Sequence, residues 1–94
     1  MVQRALSESV VPIRNENRVW RQYMKGIVIE PGLALNETGA EFLLACDGTR
    51  TLKDITQEMS DQYDIPFDEC LTDLAELCQD LLDRDIIRLV EKGE

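Results

Sequence analysis

The sequence predicts an α+β fold in which three short antiparallel strands pack on three helices, in the order β-β-β-α-α-α. Three observations carry this reading. The first third holds two β-branched or aromatic runs, Val19–Met24 and Ile27–Glu30, and a short apolar one, Leu33–Leu35, split by tight turns. The middle holds two helix-start signals, Asn36 and Thr51, either side of an Asp47-Gly48 stop. The last third holds one long amphipathic segment, Phe67–Asp83.

The elements follow in chain order. Residues 1–9 are polar and mixed, the composition of a loose terminal arm. Val10, Val11 and Ile13 around Pro12 read as an extended lead-in, and 14–18 (RNENR) as a turn. Val19, Trp20 and Tyr23 favour a strand, Lys25-Gly26 a turn, and the β-branched run IVIE at 27–30 a second strand. Pro31-Gly32 supplies the next tight turn and Leu33–Leu35 the third strand. Such a sheet is too small to be stable alone and needs a helical layer over one face.

Asn36 suits the N-cap of the first helix, with Glu37 favourable in its first turn. Gly48 fits the left-handed position that ends it. Thr51-Leu52-Lys53-Asp54 has the spacing of a capping box, and Leu52, Ile55, Met59 and Tyr63 then make one helical stripe. Pro66 suits the start of the last helix. Its apolar residues Phe67, Cys70, Leu71, Leu74, Leu77, Cys78, Leu81 and Leu82 fall within an arc of about 140° at 100° per residue. Ile86–Val90 has the composition of an extra C-terminal strand or a packed tail. Three helices on a small sheet is winged-helix-like packing, and 94 residues make a single domain with its core over 10–90.

Composition excludes several function classes. Nineteen acidic residues against ten basic ones give a net charge of −9. That balance disfavours phosphate backbones and anionic membranes and favours basic partners. There is no histidine, so the commonest general base and metal ligand are missing. The three cysteines form no CxxC, and Cys70 and Cys78 lie about 12 Å apart along one helix. They read as buried free thiols of a reducing cytosol, with no metal and no cofactor implied. The N-terminal MVQRALSESV lacks an apolar signal core and no window reaches the length of a membrane span, so the chain is expected in the cytoplasm. No Gly-rich phosphate loop and no converging catalytic carboxylates stand out, so an enzyme is not expected.

Two features point to peptide binding. Leu33–Leu35 at a sheet edge would offer unpaired backbone groups to an added strand. The wide apolar arc of the last helix leaves Leu74, Leu77 and Leu81 as candidate lining of a groove beside that edge; the competing reading places the whole arc in the core. A winged-helix DNA-binding regulator is the alternative, but Asp68, Glu69, Asp73, Glu76 and Asp80 line the last helix with no Lys or Arg among them. A subunit that only docks on an enzyme is a third reading.

The run LALN at 33–36, the helix after it, Cys46-Asp47-Gly48-Thr49-Arg50-Thr51 and Leu52…Ile55 resemble the PqqD family. These are small proteins of pyrroloquinoline quinone biosynthesis and their relatives in other peptide-modification pathways. The resemblance spans roughly Val10 to Val90. It implies three strands on three helices and a non-catalytic recognition element for ribosomally made, post-translationally modified peptides. Such an element holds the leader segment of the precursor and presents it to a modifying enzyme, commonly a radical S-adenosylmethionine enzyme. The family's leader lies along the third strand and against the last helix. That implies Leu33, Ala34 and Leu35 with Leu71, Leu74, Leu77, Cys78 and Leu81 as the peptide-binding residues. Either a monomer or a dimer is compatible with this reading.

Overall fold

The computed structural model describes residues 7–30 and 32–90. In chain order it contains β1 (Pro12–Arg14), β2 (Trp20–Tyr23), β3 (Gly26–Ile29), β4 (Leu33–Leu35), α1 (Glu37–Ala45), α2 (Leu52–Tyr63), α3 (Phe67–Asp83) and β5 (Ile87–Leu89). The predicted α+β architecture is present: β2, β3 and β4 form a three-stranded antiparallel sheet packed on three helices. The extra C-terminal strand forms as β5, and its partner is the lead-in strand β1. These two make a separate two-stranded antiparallel sheet, pairing Pro12 with Leu89 and Arg14 with Ile87.

The predicted caps are in place. Asn36 accepts from the Gly39 amide at 2.9 Å. Thr51 Oγ1 accepts from the Asp54 amide at 3.0 Å, and the Asp54 carboxylate accepts from the Thr51 amide at 3.3 Å, closing the capping box. Gly48 sits at φ +85 in the turn after α1, the backbone region that needs glycine. Pro66 stands at the N-cap of α3 without a side-chain cap bond.

The terminal-arm expectation divides. Residues 1–6 lie outside the described residues, as does Pro31 of the predicted turn. Glu8 and Val10, by contrast, accept through their carbonyls from the Lys53 and Leu52 amides, each at 2.8 Å. The first turn of α2 leaves its amides without helical partners, and the lead-in supplies them.

Two polar side chains tie the sheets to the helices. Arg14 donates through Nη1 to the Leu43 and Leu44 carbonyls at 3.2 and 2.7 Å, a cation placed on the exposed carbonyl end of α1. Asn15 is buried, and its side chain donates to the Asp85 carbonyl at 2.9 Å while accepting from the Asn17 amide at 3.0 Å. That contact joins the end of β1 to the turn after α3. One continuous core lies beneath: Ile27 and Ile29 from β3, Phe42 and Leu43 from α1, Leu52, Ile55 and Met59 from α2, Leu74, Cys78 and Leu81 from α3, and Ile86 and Ile87 beyond it.

Candidate functional site

β4 is an edge strand, paired only with β3 among the described residues. Its register opposes Leu33 to Ile29, Ala34 to Val28 and Leu35 to Ile27. Ile27 and Ile29 are buried, so Leu33 and Leu35 share the core face and are half-buried, while exposed Ala34 takes the outer face. The Leu35 carbonyl oxygen points back at Gly26 of β3, where an added Cβ would overlap it. Backbone direction alternates along an antiparallel strand. The N–H and C=O of Ala34 therefore face away from β3, toward the open edge. Leu35 lies against α1, where a Cβ on Gly39 would come within 3.3 Å of it.

The α3 residues implied by the family resemblance separate into layers. Leu74, Cys78 and Leu81 are core residues, 5%, 0% and 0% exposed. They back the helix from beneath, and their side chains are spent on the core. The cause is the centre of the apolar arc, which a small core consumes first. Leu71 and Leu77 are half-buried on opposite flanks. At 100° per residue, Leu77 lies about 20° from Arg84 around the helix and Leu71 about 120° from Leu77.

One cleft opens at the start of β4. It holds about 270 Å³ between the start of β4 and the turn after α3 and is lined by Arg18, Gly32, Leu33, Arg84 and Ile86. Of these, only Leu33 belongs to the predicted site. Arg18 and Arg84 stand far apart in sequence, and no local signal links them. Arg18 donates to the Arg84 carbonyl at 2.9 Å and to the Glu30 carbonyl at 3.2 Å. Arg84 Nε pairs with the Asp80 carboxylate at 3.2 Å. Elsewhere the exposed face of α3 is acidic, with Asp68, Glu69, Asp73 and Glu76 all exposed.

The thiols are not set up as nucleophiles. All three thiols are free and buried. Burial pushes Cys78 up to about 11, and Cys46 and Cys70 are raised by the same cause. A thiol held above its ordinary value is a poor nucleophile at neutral pH. Among the described residues, no three or more His, Cys, Asp or Glu side chains are placed to hold a metal ion. No helix there is long and apolar enough to cross a membrane.

Residues 27–87 match the family model described as coenzyme PQQ synthesis protein D (PqqD). The matched segment starts in β3, includes β4 and all three helices, and ends at the start of β5. A protein of Bradyrhizobium diazoefficiens named PqqA binding protein is 33% identical over 55 residues, covering 58% of this chain and 53% of that protein. The match thus spans about half the length of that relative. No solved structure matches the chain.

Proposed function

The chain belongs to the PqqD family, and from that premise we propose that it is a non-catalytic carrier of a precursor peptide. The leader of a ribosomally made peptide adds as a strand to β4 and is presented to a modifying enzyme. By the family resemblance, that enzyme is a radical S-adenosylmethionine enzyme. The work takes place in the cytoplasm, by one recognition domain over residues 10–90.

The open edge of β4 carries this reading: the N–H and C=O of Ala34 face outward, and its neighbour Leu33 lines a cleft whose far wall is Arg84 and Ile86, just past α3. Backbone bonds to that edge are indifferent to the peptide's side chains and contribute about 0.5–1.5 kcal/mol each. Half-buried Leu33 offers apolar contact for a side chain that faces the cleft, and half-buried Leu77 extends apolar surface along the flank of α3 that leads to Arg84. A leader that is disordered when free loses entropy on binding, so affinity is moderate and the peptide can be handed on. The acidic outer face of α3 repels phosphate backbones, which counts against a DNA-binding role. The name of the Bradyrhizobium relative makes PqqA the peptide to try first.

Ala34→Pro tests the mechanism. Proline is tolerated where an edge strand's N–H faces solvent, and it removes the donor an added strand needs. Binding of labelled PqqA, followed by fluorescence anisotropy, should weaken by about tenfold or more, a loss of about 1.4 kcal/mol, with the thermal midpoint nearly unchanged. A folded Ala34→Pro protein that binds PqqA as the wild type does overturns strand addition.

A further inference from the structure

The geometry points to a carboxylate subsite in the cleft at the end of β4: the bound peptide places an Asp or Glu side chain between Arg18 and Arg84. The inference rests on the strand-addition reading and specifies what the added strand must carry.

The chain has a net charge of −9, yet this cleft is lined by two guanidinium groups and no carboxylate. Arg18 is half-buried and held by two backbone carbonyls, which satisfy donors without cancelling charge. Among the described residues it makes no ion pair. The Glu30 carboxylate, the nearest by sequence, pairs with Arg21 instead, at 3.6 Å. Arg84 meets Asp80 only through Nε. Among the described residues no carboxylate cancels the charge of Arg18, and Arg84 engages Asp80 through Nε alone, so net positive charge stands beside a half-buried leucine; a forked guanidinium suits a carboxylate in geometry as well as in charge.

Register sets where the acidic residue falls. Leu33 and Leu35 mark successive core-face positions along β4, and only Leu33 lines the cleft. Side chains of an added strand alternate likewise. The residue entering the cleft is thus two positions from one that passes Leu35. The strand should carry an acidic residue at the first place and an apolar residue at the second.

The probe is a random dodecapeptide phage library panned on the purified full chain, on Ala34→Pro and on Arg18→Gln/Arg84→Gln. Arg84→Gln alone is the second variant, because that side chain is exposed and its loss leaves Arg18 its carbonyl partners. The wild type should enrich peptides that Ala34→Pro does not capture, with Asp or Glu two positions from an apolar residue. The arginine variants should keep the apolar preference and lose the acidic one. Replacing the acidic residue of a selected peptide by its amide should cost about fivefold in affinity on the wild type and little on Arg84→Gln. Binders that depend on Ala34 but show no acidic preference, or the same preference on the arginine variants, overturn the subsite and leave strand addition standing. Failure to enrich any Ala34-dependent binder overturns strand addition and the subsite together.

Discussion

Gly26 shows how closely a single residue is constrained here. It begins β3, and a Cβ at that position would overlap the Leu35 carbonyl oxygen, a backbone atom that cannot rotate away. Gly26→Ala must therefore separate β3 from β4. The expected cost is about 1–3 kcal/mol, the range for overpacked sites, read as a lower midpoint in urea denaturation. Unchanged stability would mean that the edge strand shifts freely. In the sequence Gly26 reads as half of a turn, a role many residues fill. The strand that approaches it comes from the next hairpin, so the contact has no local sequence signature.

At the scale of elements, α3 shows how one amphipathic helix divides its apolar arc. Its centre, Leu74, Cys78 and Leu81, is consumed by the core. Its margins, Leu71 and Leu77, are half-buried on opposite sides. Only the Leu77 side lies on the flank that leads, two turns on, to Arg84, a lining residue of the cleft by Leu33. Leu77→Ser should weaken PqqA binding by about tenfold, whereas Leu71→Ser should leave it within about twofold, both read by anisotropy on variants shown to be folded by circular dichroism. The reverse order would place the groove on the other flank. A second element-level feature is the pairing of β1 with β5, which brings the two ends of the fold together and is secured by Asn15 on Asp85.

At the scale of the molecule, the buried thiols couple stability to pH. Cys78 is held near 11 by burial and ionises more readily in the unfolded chain, whose ordinary value is 9.0. Between those values the unfolded state binds fewer protons than the native one, so stability falls as pH rises. Below about pH 9 this group contributes no slope. The loss through the window approaches about 3 kcal/mol, at about 1.4 kcal/mol per unit of pKa. Urea midpoints at pH 8 and pH 10.5 should differ more for the wild type than for Cys78→Ala, and comparing slopes removes the cost of the cavity the variant creates. Equal slopes would show that Cys78 ionises alike in both states.

What the sequence by itself determined is local. The Thr51–Asp54 capping box, the Asn36 cap, the Gly48 stop and the bounds of β4 and α3 are set by residues within a turn or two of one another, and such signals survive folding unchanged. The family signature lies in the same central block, and the resemblance implies the third strand and the last helix as the place of a bound peptide. Only the tertiary structure decided which residues of those elements are available. Burial separated Leu74, Cys78 and Leu81 from Leu71 and Leu77, because the core takes the middle of an apolar arc and leaves its margins. The alternation of β4 turned the backbone of Ala34 outward and the Leu35 carbonyl inward. The cleft between Arg18 and Arg84 needed the turn before β2 to meet the end of α3. Pairings across such sequence separations come from packing the whole chain around one core, and no window of local sequence encodes them.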